Sequence, residues 1–140
     1  MSVPETQRQK GKLEVLTKAK EVTVYSGRIL ANQKKFDPAY DDFLGNDIKI
    51  AAKNIYRYAR LANDIRVTGK ETALARKKLQ TEAIRACEDM LINIEIAYPL
   101  YHLEGRRVEH WTNIVVEAKR GLRAWRDSDR SRYKEHYDSS

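Results

Sequence analysis

One cysteine, three prolines, six glycines and two phenylalanines in 140 residues leave several function classes without their usual signatures. Cys87 alone cannot close an internal disulfide, and no Cys/His group has zinc spacing, which argues against a stapled secreted domain or a zinc module. No apolar run approaches ~18 residues, and Met1 to Lys10 is polar where a secretory signal would carry an apolar core. The expectation is therefore no membrane segment and a cytoplasmic location. The scarcity of glycine and proline speaks against a turn-dense all-β fold.

Chemistry-bearing patterns are scarce too. Di-metal sites in helical bundles need Glu-x-x-His pairs, yet the residues three before His102, His110 and His136 are Pro99, Arg107 and Tyr133. No glycine-rich phosphate loop and no nucleophile-base arrangement occurs. The adjacent pairs Glu88-Asp89 and Asp41-Asp42 would point about 100° apart on a helix, and Asp41-Asp42 suits the positive end of a helix dipole better than acid-base work. Cys87 adjoins the apolar position Ala86 and reads as a small buried side chain. No metal, no cofactor and no catalytic residue is expected, so the chain reads as non-enzymatic.

What is present is helical periodicity. A first segment, 11–35, carries Leu13, Leu16, Ala19, Val22, Ser26, Ile29 and Gln33 on one stripe, stopped by Phe36-Asp37-Pro38. A second, from Pro38–Asp42 to about Thr68, carries Leu44, Ile48, Ala51, Ile55, Ala59, Ala62 and Ile65. After Gly69-Lys70 a third carries Leu79, Ala83, Ala86, Met90, Ile94 and Ala97 up to Tyr101, with Pro99 expected to kink or loosen its last turns and Gly105 to end it. A fourth carries Val108, Trp111, Val115, Ala118, Leu122 and Trp125. These four stripes predict an all-α fold, an antiparallel up-down-up-down four-helix bundle over 11–133, with a disordered segment at 1–10 and a frayed tail at 134–140.

The charges are sorted by sign. Lys plus Arg number 27 against 20 Asp plus Glu, a net +7 that draws the chain toward anions. On the second segment Lys49, Lys53, Arg57 and Arg60 fall on one line opposite the apolar stripe. On the fourth, Lys119, Arg123, Arg126, Arg130 and Lys134 form a second line beside the stripe, with Glu117, Asp127 and Asp129 offsetting it in part. Like charges at i, i+4 lose a few tenths of a kcal/mol per pair unless an anion neutralises them, although a basic protein must also place its cations somewhere. Eight tyrosines include Tyr56, Tyr58, Tyr98, Tyr101, Tyr133 and Tyr137 near basic residues or helix ends, where they serve as half-buried rim residues, as interface anchors or as stacking platforms for bases.

Gly105-Arg106-Arg107-Val108-Glu109-His110-Trp111-Thr112 and Glu117-Ala118-Lys119-Arg120-Gly121-Leu122-Arg123-Ala124-Trp125-Arg126-Asp127-Ser128 together form a string with a likeness elsewhere. It resembles the last helix of the four-helix proteins that include the accessory variability determinants of diversity-generating retroelements and the large-subunit rRNA intervening-sequence proteins. Ile94 to Tyr98, on to His102, is similar to the end of that family's third helix, and Phe36-Asp37-Pro38 stands where the family has a Phe-Pro pair, here with Asp37 inserted. The resemblance covers about Leu13 to Tyr133. It implies a homo-oligomeric ring, a homopentamer, that contacts a partner reverse transcriptase and template RNA or cDNA during mutagenic retrohoming without performing the chemistry. It also implies that Lys119, Arg120, Arg123 and Arg126 are the first anion contacts and that Leu122 and Trp125 pack. With Arg130, Lys49, Lys53, Arg57 and Arg60 from the two lines of cations, these make the expected nucleic-acid-binding set. The other expectation is an intervening-sequence-type protein-interaction module whose charge has no direct nucleic-acid role.

Overall fold

Period-3.6 patterning with few breakers gives an all-helical chain in the computed structural model, which describes residues 5–138, with side-chain surroundings from Lys10 to Tyr137. The helices are α1 (Glu5–Leu30), α2 (Asn46–Asp64), α3 (Lys70–Leu100), α4 (Gly105–Arg132) and a short α5 (Lys134–Asp138). A 3₁₀ turn (Pro38–Tyr40) and a π turn (Asp41–Gly45) lead into α2. The helix over Glu5–Leu30 thus covers part of the segment expected to be disordered, and α5 occupies most of the expected frayed tail. The expectations for 1–4 and 139–140 lie outside the described residues.

α1 and α3 each pack against both α2 and α4. The buried residues match the sequence stripes closely on three helices: Ile48, Ala51, Ile55, Ala59 and Ala62 on α2, Ala83, Ala86, Met90, Ile94 and Ala97 on α3, and Trp111, Val115, Ala118, Leu122 and Trp125 on α4. α1 departs from its stripe. Leu13, Leu16, Ala19 and Val22 are three apart, and each such step turns 300°, so Leu13 falls about half a turn away from Val22. Leu13 is accordingly 65 % exposed, while Val15 packs against the core and Gln33 lies beyond the end of the helix.

Polar positions inside the core have specific partners. Ser26 accepts a hydrogen bond from the Trp111 indole (Nε1 to Oγ, 3.0 Å), which ties α1 to α4. Thr23 Oγ1 donates to the Ala52 carbonyl at 2.6 Å, tying α1 to α2. At the end of the molecule where α1 turns into α2, Phe36 is buried with its ring 4.8 Å from Tyr101 and 6.0 Å from Trp111.

α3 continues past Pro99 to Leu100, because a proline in the last turn removes only the one bond its nitrogen would have donated to the Glu95 carbonyl, and the helix end is closed further on. His102 adopts φ 53°, its N–H reaches the Pro99 carbonyl at 3.4 Å, and the Leu103 N–H reaches the Tyr98 carbonyl at 3.1 Å. That is a Schellman closure with a histidine in the left-handed position. Gly105 therefore does not end α3; it opens α4, where an added Cβ would stand 3.2 Å from the Tyr98 hydroxyl.

Candidate nucleic-acid interface

α4 carries the larger group of cations beside its core stripe, and two of them, Lys119 and Arg126, lean toward α3. Rising positions on α3 meet falling positions on α4: Arg76 with Asp129, Thr81 with Arg126, Glu88 with Lys119. In that register Lys119 pairs with Glu88 at 3.6 Å and Arg126 donates to Thr81 Oγ1 at 3.1 Å, so both are half-buried and partly engaged. Arg120, Arg123 and Arg130 are exposed and make no ion pair among the described residues. Lys77, one turn before Thr81, stands level with Arg130, one turn after Arg126, and its ammonium lies 5.6 Å from the Tyr137 ring. Sequence reasoning passed over Lys77; the signal was its place one turn from Thr81, which acquires meaning only with the α3-α4 register.

On α2, Lys49, Lys53, Arg57 and Arg60 are exposed on the face away from the buried stripe. Lys49 approaches Asp41 at 4.0 Å and Arg60 holds Asp64 at 2.7 Å, which leaves Lys53 and Arg57 as the α2 cations without an ion pair among the described residues. Because α2 and α4 each pack on α1 and α3 rather than side by side, the two lines of cations do not join into one surface on a single chain.

Asp129 has a different place from the one expected. It does not offset the α4 cations at the surface but is buried beneath them, with Arg76 Nε 2.8 Å from Oδ2, Arg76 Nη2 3.3 Å from Oδ1, and Gln80 Nε2 donating to Oδ2 at 2.7 Å. Arg76 also donates to the Ile65 carbonyl at 3.3 Å and stacks 5.0 Å from the Trp125 ring and 6.0 Å from the Tyr133 ring. One buried guanidinium thus joins the end of α2, the start of α3 and the end of α4. The consequence for the ridge is that its net charge is higher than the sequence count gives, since Asp129 is spent on Arg76.

The tyrosines divide. Tyr101 is buried against Phe36 and cannot stack on a base, and burial followed by Asp41 and Asp37 raises its pKa. Tyr58 and Tyr56 pack half-buried against the core, while Tyr133 and Tyr137 sit beside Arg76, Arg132 and Lys77 at the α4 end. Burial, then Asp129, pushes the Tyr137 hydroxyl up, so it stays a neutral donor beside the cations. Cys87 is fully buried, and desolvation lifts its thiol to about 12 against the pull of Lys119. Among the described residues no group of three or more His, Cys, Asp or Glu side chains could hold a metal, and no helix is long and apolar enough to cross a membrane. No family model, curated protein or solved structure matches this chain.

Proposed function

We propose that the chain is a non-catalytic, nucleic-acid-binding accessory subunit of a diversity-generating retroelement reverse transcriptase, an antiparallel four-helix bundle that assembles as a homopentamer. The pairings Arg76–Asp129, Lys119–Glu88, Trp111–Ser26 and Thr23–Ala52 support the up-down-up-down arrangement. The observation that carries the functional reading is the open trio Arg120, Arg123 and Arg130 on α4, flanked by Lys119, Arg126 and Lys77. Such a ridge neutralises phosphates without reading bases, so affinity depends steeply on salt and little on sequence. The bundle would hold template RNA or cDNA while the polymerase does the chemistry.

Fluorescence-anisotropy titration of a labelled single strand tests this. With roughly five phosphates neutralised, affinity falls about 100-fold between about 50 and about 200 mM salt. A salt-independent affinity, or none at low salt, overturns the proposal. The second reading, a protein-interaction module of the rRNA intervening-sequence type, is favoured by the exposed side chains of Phe43, Ile50, Ile92 and Ile96. It predicts that Arg123→Glu with Arg130→Glu leaves partner function unchanged, where the leading proposal predicts its loss.

A further inference from the structure

The groove between the first turns of α2 and the last turns of α3 differs in character from the rest of the molecule. Ile50 and Ile92 wall a cavity of about 250 Å³ floored by Ala51 and Ala86, with Asp47 and Asp89 on its rim. Small residues on the floor leave a trough that the neighbouring side chains do not fill. Ile50 is 57 % and Ile92 55 % exposed; Ile96, one turn further along α3, is 40 %, and Phe43, two turns before Ile50, is 67 %. Single exposed apolar residues need no explanation, but two walling one groove, with two more one or two turns along from them, do.

The charge around them is inverted relative to the chain. Between 42 and 54 and between 89 and 96 the acids are Asp42, Asp47, Asp89 and Glu95, against the cations Lys49, which reaches Asp41, and Lys53; Glu88 faces the other way and pairs with Lys119. Asp47 and Asp89, on the rim itself, make no ion pair among the described residues. A chain of net +7 thus has a local excess of acids beside four of its exposed apolar side chains. We infer that this α2/α3 groove docks a basic amphipathic helix of a partner protein, whose aliphatic stripe lies on Phe43, Ile50, Ile92 and Ile96 and whose flanking Lys or Arg side chains meet Asp47 and Asp89. A helix fits better than an extended strand, because a groove between two helices offers side-chain ridges and no open backbone for strand addition. The inference does not depend on the α4 ridge, which has the opposite sign and lies on the other side of α3.

The probe is a helical Leu/Lys peptide of about 18 residues with a single leucine stripe, measured against a Leu/Glu peptide of the same pattern. The Leu/Lys peptide binds, and its amide shift changes in ¹⁵N spectra of the full chain centre on Ile50, Ile92 and Ile96. Asp47→Asn with Asp89→Asn weakens it at least 10-fold at low salt. Ile92→Ser weakens it at any salt, with an unchanged thermal melt showing that the fold persists. Equal binding of the Leu/Glu peptide, shift changes on another face, or no binding by about 1 mM overturns the inference. So does a fall in mass by light scattering in the Ile92→Ser chain, which would mean that a second copy covers the groove.

Discussion

Asp129 is the residue whose removal should be felt most. Its carboxylate is enclosed by Arg76 and Gln80, and Arg76 is itself 2 % exposed, so taking one partner away leaves a buried charge without compensation. Asp129→Ala should lower unfolding free energy by about 3 to 5 kcal/mol in urea titration, whereas Arg76→Met with Asp129→Leu should recover most of that, because an apolar pair of similar volume escapes the desolvation cost. Cys87 gives a pH-dependent counterpart. An unfolded thiol ionises near ~8.5 while the folded one is held to about 12. Above about pH 9 the unfolded chain therefore releases a proton that the folded chain keeps, and this contribution to stability, complete below that pH, is lost as pH rises toward 12. Melting curves from pH 8 to 10 should show a shallower decline for Cys87→Ala than for the parent chain. The burial of Cys87 was legible from its place beside Ala86, but that of Asp129 was not: it looked like one surface acid among several, and its burial depends on Arg76, 53 positions away.

Helices are where the sequence spoke most clearly and also where it misled. On α2 and α4 the apolar steps mix threes and fours, follow one face and are mostly buried as expected; on α1 a run of threes drifts around the helix and puts Leu13 in solvent. Opposite Gly11 to Lys18 of α1, Gly121 and Ala124 are too small to close the gap, and a cavity of about 360 Å³ remains there, lined also by Val15 and Trp125. The end of α3 could not be placed from composition, since Gly105 offered a more ordinary stop than His102. Histidine with φ 53° carries left-handed strain of about 1 to 2 kcal/mol that glycine would relieve, less what glycine costs in unfolded-chain entropy. His102→Gly should therefore stabilise the chain by about 0.5 to 1 kcal/mol, read as a small rise in melting temperature. A loss instead would mean that the imidazole contributes contacts that outweigh its backbone strain.

Across the whole molecule, charge is arranged by helix rather than spread evenly: cations along α4 with Lys77, a second line on the outer face of α2, and acids gathered around the α2/α3 groove. The two lines of cations were readable residue by residue, but not that α1 and α3 stand between them, because adjacency of helices is not written in the period of any one of them. One strand of nucleic acid following the α4 ridge would meet Arg120, Arg123 and Arg130 without reaching Lys53 or Arg57 on the same chain. Charge reversal then separates the ridges. Arg123→Glu with Arg130→Glu should weaken single-strand binding by at least 10-fold near 100 mM salt and reduce the slope of log K against log salt by about 1.4, at ~0.7 per phosphate lost. Lys53→Glu with Arg57→Glu changes net charge by the same amount, so long-range attraction falls equally in both variants and only the local contacts differ. If the α2 variant keeps the parent slope, phosphate is held on α4. If both slopes fall together, the strand passes from α4 of one copy to α2 of the next, which a lone chain does not allow; light scattering on the same samples would then have to show an oligomer, and five copies if it is the proposed ring.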